Sequence, residues 1–228
     1  MVELFYTMME QKRHADAYGV VKRISQYFPA NPQRLTQVLK LAILTKSYDD
    51  VEGYYHAFKA IDERNDEMVR YVCAALVVCG KYYLQRGIKS RAVDLFQGAA
   101  VSGANAPRIL REIIQTLHEF NMGKQAGEFL KKFPPDTQSG ADYFTSTLMV
   151  SDLMLMPEAT IVQGRKLIAQ GIEDPMIYRI MVYRSAQERL TRAAEDLVHH
   201  AVKKWPEEKE ILHKLLQSAK GTAPAKTE

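Results

Sequence analysis

Metal or nucleophile chemistry in this sequence would fall to a few side chains: the neighbours His199 and His200, the cysteines Cys73 and Cys79, and four further histidines, His14, His56, His118 and His213. Adjacent residues on a helix point about 100 degrees apart, so His199 and His200 cannot share a metal ion and are expected at the surface. The other four histidines are scattered along the chain. The two cysteines lie six apart, face different directions on a helix and are expected as reduced core thiols, which fits a cytoplasmic setting. No glycine-rich phosphate loop with its lysine, no Gly-x-Ser-x-Gly elbow and no His-Glu-x-x-His pair occurs. The expectation is a chain with no catalytic residue, no metal site and no cofactor.

The elements that would carry any site are those of a soluble protein. Of 228 residues, 46% are apolar and 25% charged, which excludes a disordered chain except at its ends. The longest nearly uncharged run, Tyr71 to Gly80, has about half the residues a membrane-spanning helix needs, and no apolar signal core follows a basic start. A net charge of +4 falls short of the clustered Lys and Arg that hold nucleic-acid phosphates, so a nucleic-acid partner is not expected. The methionine-rich "LMVSDLMLM", residues 148–156, suits either core packing or an adaptable binding face, and core packing is the expectation.

Periodicity organises the rest. The aromatic-proline pairs Phe28-Pro29, Phe133-Pro134 and Trp205-Pro206 are separated by 105 and 72 residues, multiples of a unit of about 35. Residues that open first helices, Pro32, Asp66, Pro107, Pro135, Pro175 and Pro206, recur at a similar mean interval. Apolar spacing between them predicts helices near 2–11 and 14–28, 32–45 and 48–62, 66–86 and 89–102, 107–120 and 123–133, 138–155 and 158–171, 175–187 and 190–204, with a last helix at 207–219. "YVCAALVVC" is rich in β-branched residues, yet its length and flanks favour helix. The tail at 220–228 has no apolar face and is expected to be disordered. Val2 is already helical without a cap before it, which is what a fragment cut from a longer protein would show.

Within "VCGKYYLQRGIKSRAVDLFQGAA", residues 78–100, Gly80 and Ala92 are placed where two helices cross, Tyr83 and Phe96 fill the space beside the crossing, and Gly87 ends the first helix in the left-handed conformation. With Leu76 and Ala99, these residues resemble the tetratricopeptide repeat family at its own spacings. Ala17, Ala194, Ala201 and Tyr55 carry the likeness into other units, whereas Val51 stands where alanine is expected and "MPEATIVQGRKLIAQGIEDP" fits only loosely. The resemblance implies an all-α fold: a right-handed α-solenoid of about six helix hairpins over 1–219 with a C-terminal capping helix. It also implies that the first helices line a concave, non-enzymatic, partner-binding face.

Carrying the family's groove positions over places Gln33, Thr36, Gln37 and Lys40 on that face, then Ala74, Val77, Val78, Lys81 and Gln85. Arg108, Arg111, Glu112, Gln115, His118 and Glu119 follow, then Met176, Arg179, Ile180 and Tyr183. Of these, Gln37, Lys40, Lys81, Arg108, Arg111, Gln115, Arg179 and Tyr183 are the candidate binding residues, and their cations favour an acidic, extended segment of a protein partner. Thr36 and Val77 stand where the chaperone-binding subfamily needs polar donors, which argues against that role. Such repeats accompany bacterial signalling and assembly modules, an association only. A second resemblance, to pentatricopeptide RNA-binding arrays, rests on "RGIKSRAVDLFQGAAVSGANAP", with Gly103, and on "AQGIEDP", and would imply single-stranded RNA binding.

Overall fold

Apolar residues at helical spacing, broken at glycine, proline and polar turns, fold into thirteen α-helices and no strand among the residues described by this computed structural model, which are 2–27, 31–59, 61, 66–101 and 106–222. They fall in two compact units, residues 1–113 and 114–228. Unit 1 holds α1 (Val2–Glu10), α2 (His14–Tyr27), α3 (Pro32–Leu44), α4 (Tyr48–Lys59), α5 (Asp66–Gln85), α6 (Lys89–Val101) and the start of α7 (Ala106–Glu119). Unit 2 holds the end of α7, α8 (Gly123–Leu130), α9 (Ala141–Met154), α10 (Pro157–Ala169), α11 (Pro175–Gln187), α12 (Thr191–Lys204) and α13 (Lys209–Thr222).

Every helix expected from the sequence is present, the one over "YVCAALVVC" included. Three internal boundaries need correction: α4 stops at Lys59 rather than 62, α8 stops at Leu130 rather than 133, and α9 starts at Ala141 rather than 138. Pro134 and Pro135 have no N–H to donate, so the chain leaves α8 and makes only a 3-10 turn at Pro135–Thr137 before the next helix. The pair Phe28-Pro29 lies outside the described residues. Of the tail expected at 220–228, residues 220–222 complete α13 and the remainder lie outside the described residues.

Local chemistry sets the helix ends. Asn31 caps α3, its side chain accepting from Arg34 N at 3.0 Å, and Asp174 caps α11, accepting from Met176 N at 2.9 Å; Pro32 and Pro175 follow at the first helical position. Between the two helices of a hairpin the chain turns on one left-handed residue: Lys12, Lys46, Gly87, Asn121 and Arg189, with φ of 55 to 77 degrees. Each closes the same pair of main-chain bonds, as where Gly87 N reaches Leu84 O and Ile88 N reaches Tyr83 O, both at 2.9 Å. The α9–α10 hairpin departs from this. Its equivalent residue, Leu155, is extended, and so is Met156, which precedes Pro157 and is barred from the helical region. Met154, Leu155 and Met156 are exposed there, while Leu148 and Met149 are core, so the methionine-rich segment is only half buried.

Three residues into every second helix lies one fully buried small or branched residue: Ala17, Val51, Ala92, Ala126, Thr160 and Ala194. The steps between them are 34, 41, 34, 34 and 34 residues. Thr160 takes the place of alanine in the fifth hairpin, which is why that segment fits the pattern loosely. First helices pack on one another as well as on their hairpin partners, α3 against α5, and α11 against both α9 and α13. At the α5–α6 contact Gly80 makes room for a ring: a Cβ there would lie 2.3 Å from Phe96 Cε1.

Candidate binding grooves and internal polar ties

In unit 1 the exposed sides of α3 and α5 enclose an apolar slot of about 200 Å³, lined by Leu39, Ile43, Leu44, Tyr71, Ala75 and Val78, with Lys40 and Ala74 at its walls. Leu44, Tyr71 and Val78 are each at least 40% exposed, an open apolar surface on a face where the opposite sides of the same helices are buried. Tyr71 and Ala74 also wall a second cleft, where Arg70 of α5 and Arg108 of α7 meet. Arg108 extends into solvent, touching Glu112 at 3.5 Å.

The other side of unit 1 is tied by the acidic start of α4. Asp50 accepts from Tyr18 Oη at 2.6 Å and Lys22 Nζ at 2.8 Å, Asp49 from Tyr83 Oη at 2.7 Å, and Glu52 from Arg91 at 2.7 Å. The Lys22 and Tyr18 bonds hold the Asp50 carboxyl below its usual range. Burial, reinforced by the carboxylates, pushes the Tyr18 and Tyr83 phenols up. Both cysteines are free and buried, and desolvation raises Cys73 to about 11 and Cys79 to about 12. They are protonated and inert at neutral pH.

In unit 2 a groove of about 610 Å³ lies among α7, α11 and α13, with Gln115, Met176, Ile180, Tyr183, Ile211 and Leu215 along it. Its charges are engaged internally. Arg179 donates Nε and Nη2 to Glu208 at 2.6 and 2.7 Å. Buried Asp152 of α9 bonds His118 Nε2 at 2.8 Å and receives Arg184 Nε at 2.6 Å, joining three successive first helices. Burial alone would raise the Asp152 carboxyl; the bonds from His118 and Arg184 outweigh it and hold it low. Because the carboxylate can only accept, His118 donates from Nε2. His200 stacks on Tyr178 at 5.7 Å and His199 is exposed, so the adjacent histidines point apart.

Solved structures share the fold. A tetratricopeptide repeat protein from Parabacteroides merdae matches with a TM-score of 0.60 over 99% of this chain and 93% of its own, at 12% identity. The C-terminal part of a TPR repeat-containing protein from Cytophaga hutchinsonii matches with a TM-score of 0.55 over 97% of this chain and 96% of its own, also at 12% identity. The chain has the tetratricopeptide-repeat fold. No family model and no curated protein matches the sequence. No helix among the described residues is long and apolar enough to cross a membrane.

On this tetratricopeptide-repeat fold the candidate residues separate into two groups. Lys40 borders the slot and Arg108 the adjoining cleft in unit 1, while Gln115, Arg179 and Tyr183 share the groove of unit 2. Gln37 accepts from Arg34 at 3.0 Å, Lys81 and Arg111 are half-buried on α5 and α7, and Val77 is buried rather than groove-lining. Sequence reasoning missed Tyr71 and Arg70. It also missed the ties Tyr18–Asp50, Tyr83–Asp49, His118–Asp152, Arg184–Asp152 and Arg179–Glu208. Their partners are 29 to 34 residues apart, and that near-repeat separation was the available signal.

Proposed function

We propose that the protein is a non-enzymatic scaffold that holds an extended, acidic segment of a partner protein against its first helices, in signalling or assembly. The observation that carries this is the unit 1 groove: an open apolar slot beside two arginines, where Leu44, Tyr71 and Val78 remain exposed. Apolar surface rimmed by cations suits a peptide that brings both a hydrophobic side chain and carboxylates. The unit 2 groove is the more neutral of the two, because Glu208 and Asp152 already take up the forks of Arg179 and Arg184. It supports contacts through Gln115, Tyr183 and aliphatic side chains.

Affinity capture followed by charge reversal tests this reading. The double variant R70E/R108E is expected to lose the partner while keeping the helical circular-dichroism signal, and added salt is expected to weaken capture by the wild type. Unchanged partner recovery with both reversals in place would remove the groove from the account.

A further inference from the structure

Counting back from the left-handed turn at Gly87, fourteen residues reach Cys73, the same count that takes α3 from Lys46 back to its first residue, Pro32. Residues 66–72 of α5 are therefore an addition of about two helical turns. Met68 and Val72 fix the addition to the core at 3% and 1% exposure, and Arg70 and Tyr71 stand in solvent. The addition thus supplies one arginine of the cleft and the ring shared by cleft and slot.

We infer that the added turns of α5 make unit 1 selective for an acidic peptide in which a bulky apolar residue lies one or two positions from a carboxylate. The apolar side chain enters the slot between α3 and α5, and the carboxylate lies between Arg70 and Arg108. This deepens, and rests on, the peptide-binding reading of the first-helix face. Three observations set the motif. The slot has room for one large side chain and an almost wholly apolar lining. Arg70 and Arg108 both line one cleft, and a carboxylate there can accept forked hydrogen bonds from a guanidinium. Tyr71 and Ala74 line both sites, so slot and cleft adjoin, and the two anchors of one extended peptide must lie close together in its sequence. Arg108, 80% exposed, is held by Glu112 at only 3.5 Å, a surface pair weak enough to yield to an incoming carboxylate.

Fluorescence anisotropy with labelled synthetic peptides tests the motif on the full chain. Four probes test the motif: leucine beside paired glutamates, the same composition with the leucine moved well away, the leucine changed to serine, and the glutamates changed to glutamine; a phosphoserine peptide and a single-stranded RNA serve as competitors. The adjacent probe is expected to bind roughly tenfold tighter than each of the others, the weight of one charged hydrogen-bonded contact. R108A is expected to remove that advantage against the glutamine probe, and V78E, on the exposed side of the slot, the advantage against the serine probe. Both variants should keep the wild-type melting profile. Equal binding of the adjacent and separated probes overturns this inference and leaves the general reading standing. No binding by any probe overturns both. An Arg108-dependent preference for a phosphoserine peptide or for single-stranded RNA over the acidic peptide assigns the cleft to another ligand and overturns the inference.

Discussion

Glu208, in the turn before α13, receives two parallel hydrogen bonds from the Arg179 fork on α11 and is almost buried beneath it. The pair closes the last helix onto the repeat before it. Arg179→Ala strands a buried carboxylate and is expected to cost about 3 kcal/mol. Amide exchange should rise first in α13, ahead of α11; uniform exchange across unit 2 would show that the tie is not local.

Asp152 gives unit 2 an acid sensitivity of definite sign. Its carboxyl is held low in the folded state, so the stabilisation is complete above the unfolded value of about 3.9 and is lost as pH falls through the lower folded value. His118 and Arg184 are the partners that bond it. Asp152→Asn is expected to cost about 3 kcal/mol at pH 7 and to flatten the fall in unfolding midpoint between pH 5 and 2. Denaturant titrations across that range measure both effects.

Gly80→Ala should destabilise by about 1–3 kcal/mol, because the new methyl would collide with the fully buried ring of Phe96. Gly164→Ala offers the contrast. A Cβ there meets the Met181 thioether, whose rotatable chain can yield, and the expected loss is smaller. Thermal unfolding of the two variants side by side decides it; an equal loss would mean that ring rigidity is not the cause.

Thr160→Val is expected to stabilise by about 1 kcal/mol. The threonine hydroxyl is buried without a hydrogen-bond partner, in the column where the other hairpins place alanine or valine. A raised unfolding midpoint with unchanged denaturant slope is the outcome sought.

Hairpins were legible because helical spacing and turn residues are local signals, and Gly87, Pro32 and Pro175 announce their own backbone geometry. The common step of 34 was obscured because only one of the five matching turns uses glycine, and because Thr160 and Val51 stand in the alanine column. Groove positions carried over from the family pattern placed Lys40, Arg108, Gln115 and Tyr183 beside cavities. That pattern has no place for Arg70 and Tyr71, which lie on turns it lacks. Whether an arginine is tied up depends on a carboxylate about one repeat away, as Glu208 is from Arg179, and no local window contains both.

The left-handed corners carry a consequence for how such hairpins are recognised. Lysine, asparagine and arginine occupy four of them under the same main-chain hydrogen bonds that hold Gly87, so the corner tolerates drift in its side chain without opening. The hairpin is therefore written in torsion angles where no common letter marks it in the sequence.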